Sequence, residues 1–321
     1  MKFSVALATY NGARYLPAQL ASLAAQTVMP GELVACDDGS TDGTVAVLER
    51  FASDAPFPVR LFRNPVNLGS TANFAQAVGL CTGDGIFLCD QDDLWHPHKL
   101  ARFAAAFDAD PAVGLVASDL ELIDAGGQDL GRRVWGELPF PPALRASVEA
   151  GGGPRLWVRY NTVTGAAAAF RADLREVILP IPPGWVHDAW VALIVAAIRP
   201  VRLIAEPLTQ YRVHAGQQIG SEPLTVRRQL RAARRMDAAY FAKVAACFTA
   251  AADRLELFRD RLTDPAVVEL LRGKAAFASV QREMRDGSRA GRIVPAVRQL
   301  LAGNYATYGR GLKGFAADVL L

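Results

Sequence analysis

The chain has 321 residues, more than one ordinary domain of roughly 100 to 200, so two structural units or one large unit with an appendage are expected. With 51% hydrophobic residues, 21% charged residues and a mean hydropathy of +0.14, wholesale disorder is excluded. The net charge of +3 conceals an asymmetry: residues 1–220 hold 17 Lys+Arg and 22 Asp+Glu, net −5, and residues 221–321 hold 18 and 10, net +8.

In chain order, Phe3 to Ala8 reads as a strand, Arg14 to Gln26 as a helix with Leu16, Leu20 and Leu23 on one face, and Glu32 to Cys36 as a second strand. Thr44 to Ala52 is a helix, Val59 to Phe62 a third strand, Thr71 to Leu80 a helix and Gly85 to Cys89 a fourth strand. A helix from about Pro97 to Phe107 and a fifth strand from Val113 to Ser118 follow. This alternation predicts βαβ units, a mostly parallel Rossmann-like sheet and right-handed crossovers. Residues 126 to 155, rich in Gly and Pro, read as a long functional loop. Thr162 to Phe170 is small and apolar, Ala189 to Ile198 a buried helix and Val201 to Ile204 a short strand. From Val226 onward the pattern is helical. The chain thus divides into 1–220 and a basic helical region, 221–321.

The longest uninterrupted apolar run, Ala189 to Ile198, is ten residues, and a spanning helix needs about 20. Met1-Lys2-Phe3 leads straight into the first strand without a signal-peptide pattern, so a cytoplasmic protein is expected. Cys36, Cys81, Cys89 and Cys247 form no CxxC pair and read as buried, reduced thiols.

Ligands of an open parallel sheet bind outside the carboxyl ends of its strands. Here those ends read Thr9-Tyr10-Asn11-Gly12, Asp37-Asp38-Gly39-Ser40, Asn64 to Gly69, and Asp90-Gln91-Asp92-Asp93. Any one of them could be turn or capping punctuation. Asp90, Asp92 and Asp93, however, repel one another unless a cation or the first turn of a helix offsets them. A divalent metal, Mg²⁺ or Mn²⁺, meets that need, since it takes few protein carboxylates and completes its shell with water and phosphate oxygens. The sequence contains neither GxxxxGK[ST] nor a GxGxxG between strand and helix, so a metal-held nucleotide diphosphate is the expected ligand.

These blocks, SVALATYNGARYL, CDDGSTDGT, NPVNLGSTANF and CDQDDLWHPHKL, followed by NTVTGAAAAF, WVHDAWVALIVAAI and EPLTQYRVHAG, resemble family 2 glycosyltransferases with the A-type nucleotide-sugar-binding fold (GT-A), especially the bacterial rhamnosyltransferase-like group. The resemblance covers about residues 3 to 220. It implies that Tyr10 packs on the base, that Asp38 accepts a hydrogen bond from the base imide, and that Asp90 contacts the ribose. Thr9 and Asn67 fall in the donor-side blocks. The resemblance also makes Asp92 the ligand of the metal bridging the diphosphate, His214 a late metal or phosphate ligand, and Asp188 the general base. Gly165, after Thr164, would let the backbone approach the sugar diphosphate, with tight packing as the alternative. An N-cap for the following helix is the structural alternative for Asp188, and an orienting or core role that for His187.

A metal acting as Lewis acid on the leaving group and one carboxylate near the nucleophile suit a single displacement with inversion. The implied donor is a dTDP- or UDP-sugar, with dTDP-L-rhamnose suggested by the resemblance, and the implied acceptor a saccharide or a polyprenyl-diphosphate-linked saccharide in surface polysaccharide assembly. Two rivals stand beside this reading. A nucleotidylyltransferase would want a Gly- and Arg-rich loop with a Lys where this chain has TYNG, and a non-catalytic sugar-nucleotide-binding module could lose Asp92 or Asp188 without cost. Arg227, Arg228, Arg231, Arg234 and Arg235 share one helical face. That face reads as solvated, as attracted to anionic headgroups or a lipid-linked diphosphate, or as packed in a homodimer; no aromatic interleaving points to nucleic acid.

Overall fold

The computed structural model of the chain describes residues 1–214 and 236–320. The strands are β1 (Phe3–Thr9), β2 (Glu32–Asp37), β3 (Val59–Arg63), β4 (Gly85–Cys89), β5 (Leu94–Trp95), β6 (Leu115–Ile123), β7 (Asp129–Arg133), β8 (Ala168–Arg171) and β9 (Val201–Arg212). Between them run α1 (Leu16–Ala24), α2 (Thr44–Asp54), α3 (Ser70–Leu80), α4 (Lys99–Ala109), α5 (Val134–Glu137), α6 (Pro142–Ser147), α7 (Gly153–Trp157), α8 (Arg175–Ile178) and α9 (His187–Ile198). Five helices follow: α10 (Ala238–Glu256), α11 (Ala266–Asp286), α12 (Ile293–Leu301), α13 (Asn304–Tyr308) and α14 (Leu312–Leu320).

The chain forms two units, and residues 152–161 and 182–184 belong with the C-terminal helices rather than with the sheet. In the first unit one nine-stranded sheet has the order β3-β2-β1-β4-β8-β6-β9-β5, with β7 beside β6. The pairs β1–β2, β2–β3, β1–β4 and β6–β9 are parallel, and β8, β5 and β7 run against their neighbours. β2 and β4 are buried at every position, as strands covered by helices on both faces must be. Leu16, Leu20 and Leu23 of α1 and Leu100, Phe103 and Phe107 of α4 join Val5, Leu7 and Phe87 in the core. β3 lies at the edge, partly exposed and carrying Arg60 and Arg63, and so resists pairing with another chain. α9 buries residues on every side, as its uninterrupted apolar run predicts. The four cysteines are free and buried.

Three local expectations change. The predicted loop 126–155 carries β7, α5 and α6, held not by periodicity but by Trp135 and Phe140, both buried and packed edge to face at 5.4 Å. The short strand predicted at Val201–Ile204 continues to Arg212, because two register shifts against β6 let it pass Pro207, which cannot donate to the ladder. β5 is too short to leave a periodic trace; Leu94 and Trp95 pair with Gln210 and Thr209.

In the second unit α10 and α11 bury Phe241, Phe248 and Leu255 with Val268, Leu271 and Phe277. Asp318 of α14 is buried and accepts from Arg285 Nη2 (3.0 Å), Gln281 Nε2 (2.7 Å) and Tyr305 Oη (2.8 Å), joining α11, α13 and α14. Arg227, Arg228, Arg231, Arg234 and Arg235 lie outside the described residues. Among those described, no helix is long and apolar enough to cross a membrane.

At the end of the sheet away from the polar loops, the buried Glu32 carboxylate accepts from Ser4 Oγ (2.6 Å), Thr82 N (2.6 Å), Thr82 Oγ1 (2.8 Å) and Arg60 Nη1 (3.1 Å). Burial pushes this carboxyl up, but the four donors outweigh it and hold it at about 2. Its stabilisation is therefore complete above the ordinary carboxylate pKa and is lost as pH falls toward about 2. Glu32→Gln is expected to lower the unfolding free energy at neutral pH by about 1 to 3 kcal/mol, and the gap to wild type to close on acidification. Denaturant titrations at several pH values check this; a gap independent of pH would show that the carboxylate's charge contributes nothing.

Candidate functional site

Because β1, β2, β4, β6 and β9 run in one direction, their carboxyl ends bring Thr9, Asp37, Asp90, Asp124 and His214 to one edge of the sheet. Thr9 Oγ1 donates to Asp37 Oδ1 (3.1 Å), and the Asp38 N–H donates to the Thr9 carbonyl (2.8 Å). Tyr10 follows with 47% of its surface exposed, its backbone clamped by the Gln91 amide, which accepts from Tyr10 N (2.9 Å) and donates to Tyr10 O (3.0 Å). A Cβ on Gly12 would collide with that amide, which explains the glycine in the TYNG block.

Asp38 is buried, and its carboxylate takes Asn64 Nδ2 (2.9 Å) and Leu68 N (2.8 Å) on Oδ1 and Gly69 N (2.8 Å) on Oδ2. Asp38 thus shapes the loop from Asn64 to Gly69. Asn67 in that loop is exposed, donates to the Asp38 carbonyl (3.2 Å) and accepts from Gly69 N (3.1 Å).

The acidic block divides into three environments. Asp92 Oδ2 pairs with His214 Nε2 at 2.8 Å, and the Asp92 carbonyl accepts from Arg212 Nε (2.7 Å). Asp93 is fully buried; Oδ1 accepts from Arg212 N (3.0 Å), while Oδ2 finds no partner. Burial first, and the charges of Asp92 and Asp90 next, push Asp93 well above the usual carboxylate range. Asp90 is raised to about 7 by burial and then by Asp92 and Asp188. The edge therefore gathers carboxyls that burial and mutual repulsion raise. Among the described residues no three His, Cys, Asp or Glu side chains could enclose a metal by themselves. The Asp92–His214 pair beside the carboxyls of Asp90 and Asp93 still fits a hard divalent cation that draws its remaining ligands from a diphosphate and water.

Opposite this block, the turn before β8 meets the start of α9. Asp188 is the second residue of α9, not its N-cap; Oδ1 accepts from Ala189 N (2.5 Å) and Oδ2 reaches across to Gly165 N (3.1 Å). Burial lifts Asp188 to about 6 against these N–H groups, which lower it. His187 is buried and stacked on Phe74 (centroids 3.9 Å apart, planes 22°), with neither ring nitrogen hydrogen bonded, and burial depresses it to about 3. A Cβ on Gly165 would lie 2.9 Å from His187 Nε2 and 3.4 Å from Asp188 Cβ.

Sequence reasoning missed Lys99, Gln91 and Arg212. Lys99 is fully buried; Nζ donates to the Ala166 carbonyl (2.5 Å) and Thr209 Oγ1 (2.9 Å) and lies 3.5 Å from the Trp95 ring centroid. Its signal was available, because Lys99 precedes Phe103 by four and so shares the apolar face of α4. Beside β6 there is also a cleft of about 410 Å³ lined by Asp119, Arg133, Trp135, Phe140 and Arg145. Asp119 Oδ1 accepts from Leu120 N (2.8 Å) and Trp135 N (3.0 Å) there, and Ala117 pairs with Ala168, three residues beyond Gly165.

Comparison with known proteins matches residues 4–141 to the family model for glycosyl transferase family 2. An uncharacterised glycosyltransferase of Nostoc sp. is 30% identical over 219 residues, 67% of this chain and 65% of that protein. The matched stretch spans 50 to 65% of the first curated relatives. The structure of S. aureus TarS 1–349 in complex with UDP-GlcNAc covers 99% of this chain and 90% of that one, at 15% identity and a TM-score of 0.57. A Pyrobaculum calidifontis mannosyltransferase in complex with GDP-Man and Mn²⁺ covers 99% and 86%, at 20% identity and a TM-score of 0.50. These likenesses and the sheet order show the GT-A-type fold, and the family match with its relatives supports family 2 glycosyltransferase.

A methyl group at position 165 would part the turn from α9. Gly165→Ala is expected to lower turnover at least about tenfold, since small displacements near reacting groups cost that much or more, while the far-UV circular dichroism spectrum stays that of wild type. Unchanged turnover would show that the contact of Gly165 with His187 and Asp188 positions nothing.

Proposed function

We propose that the chain is a metal-dependent inverting glycosyltransferase that moves a sugar from a nucleoside diphosphate to a saccharide hydroxyl. The observation that carries this reading is the convergence of Asp92–His214, Asp90 and Asp188: antiparallel pairing of β8 with β4 sets the Gly165 turn, which holds Asp188, beside the end of β4 that leads into Asp90. Asp92 and His214 would hold Mg²⁺ or Mn²⁺, which when bound supplies charge neutralisation for the departing diphosphate.

This chain's own residues do the rest. Exposed Tyr10 packs on the base, and Thr9 fixes the backbone that presents it. Asp38 has spent three hydrogen-bond positions on the 64–69 loop and keeps a further acceptor position for the base imide. Asn67 borders the donor, Asp90 accepts from the ribose, and the Gly165 turn comes close to the sugar. Asp188 takes the proton of the acceptor hydroxyl as that oxygen bonds to the anomeric carbon, and the bond from that carbon to the diphosphate oxygen breaks with its electron pair on the diphosphate. One carboxylate on the acceptor side, with none needed as covalent nucleophile, makes the transfer a single displacement. The donor suggested by the sequence blocks is dTDP-L-rhamnose, and the cleft of Asp119, Arg133 and Arg145, one strand from the Gly165 turn, is the side from which a saccharide acceptor approaches.

Four measurements bear on this. The base must be unprotonated to act, and Asp188 stands at about 6, so kcat/KM is expected to fall as pH drops through that value. Asp188→Asn is expected to bind donor normally, to lose turnover by a factor on the order of 10² or more and to lose that acid limb; wild-type rates would remove Asp188 as base. Asp92→Ala is expected to abolish the part of donor binding that EDTA removes from wild type, whereas a variant still fully EDTA-sensitive would remove Asp92 from the metal site. A panel of nucleotide sugars screened by thermal stabilisation identifies the donor, and failure of dTDP-L-rhamnose beside a stabilising UDP-sugar would replace it.

A further inference from the structure

Between Asp286 and Asp318 the chain has no acidic residue, while Arg289, Arg292, Arg298, Arg310 and Lys313 fall within that stretch. The same stretch contains α12, whose four apolar residues Ile293, Val294, Val297 and Leu301 are 49, 59, 38 and 83% exposed, although Ala296 on the opposite side is buried. Ile293, Val297 and Leu301 recur every four residues, and Leu301 follows Val294 by seven, so the four form one stripe along the helix. Leu312 and Leu320 of α14 are likewise 72 and 69% exposed. Arg289 lies four residues before Ile293 and Arg298 four after Val294, and both are exposed, as are Arg310 and Lys313.

A water-facing helix of a folded unit places such residues inward; here the polar side lacks acids and the apolar side faces out. We propose that α12 is an interfacial helix that lays Ile293, Val294, Val297 and Leu301 into the surface of an anionic lipid bilayer, with Arg289, Arg298, Arg310 and Lys313 against the headgroups. Apolar insertion and attraction of basic residues to acidic headgroups reinforce each other at such a surface. A second copy of the chain is the poorer occupant, because a self-complementary contact brings the same unpaired arginines of both copies together with no acid between them. The inference stands on the C-terminal unit alone and does not depend on the glycosyltransfer reading.

The test is flotation of the full chain with phosphatidylcholine vesicles that contain or lack phosphatidylglycerol. Wild type is expected to float with the anionic vesicles and to be released by high salt. Val294→Gln/Leu301→Gln is expected to weaken partitioning about tenfold, and Arg289→Gln/Arg298→Gln about as much and only on anionic vesicles. All four sites are exposed, so melting curves should match wild type, and donor binding in both variants should be unchanged. Equal flotation of the variants, or no flotation of wild type, overturns the proposal. So does a lipid-free wild-type dimer that Val294→Gln/Leu301→Gln converts to monomer, which would assign the stripe to a second copy.

Discussion

The candidate site is assembled around one buried ammonium. Lys99 Nζ binds the carbonyl of Ala166 and the hydroxyl of Thr209 while standing over Trp95, so a single group from α4 ties the turn before β8 to β9 and to the segment after the acidic block. An ammonium removed from water is unfavourable unless charge and hydrogen bonds offset the loss; burial lowers Lys99 to about 7, against the pull of neighbouring anions that include Asp93 and Asp90. Each tie reaches a candidate site residue at one remove. Ala166 adjoins Gly165, whose N–H holds Asp188, and Thr209 lies on the strand that ends in Arg212 and His214. Lys99 therefore ties the start of α4 to the turn before β8 and to β9.

Asp188 shows why a place at a helix start and a raised carboxyl need not be alternatives. As the second residue of α9 it lies where the helix dipole favours negative charge, yet burial lifts it to about 6. Had it been the cap, its oxygens would have been spent on its own first turn. By reaching to Gly165 with one oxygen it binds two elements together, while burial, against the Gly165 and Ala189 N–H groups, raises its proton affinity. The adjacent His187, stacked on Phe74 and held neutral by burial, gives that pair a stiff wall.

Most of this was legible in the sequence where a local rule governs. The β1 to α4 alternation, the fully apolar α9 and the polar residues at strand ends follow from periodicity and from the direction of parallel strands, and each element appears within a few residues of its expected bounds. What escaped depends on partners far apart in the chain. β8 enters the sheet between β4 and β6 by antiparallel pairing that a strand of only four residues does not announce, and β9 triples in length because β6 accepts it through two shifts of register. The clamp of Gln91 on Tyr10 and the tie of Lys99 to Ala166 span 81 and 67 residues, and no spacing rule reaches so far.

The charge arithmetic gains meaning from this geometry. An acidic N-terminal portion accords with a chain that gathers carboxylates at one sheet edge, where burial and mutual repulsion raise Asp90 and Asp93. The basic C-terminal portion obeys a different constraint. Among the described residues of the second unit the one deeply buried carboxylate, Asp318, is spent on Arg285, Gln281 and Tyr305 inside the helical packing. No acid between Asp286 and Asp318 is left to quench the exposed arginines around α12, so their field extends outward beside an apolar stripe. On the readings proposed above, an anionic ligand meets the first unit through a cation, whereas the second unit meets an anionic surface directly. The two opposed charges hidden in a net of +3 correspond to two different ways of meeting negative charge.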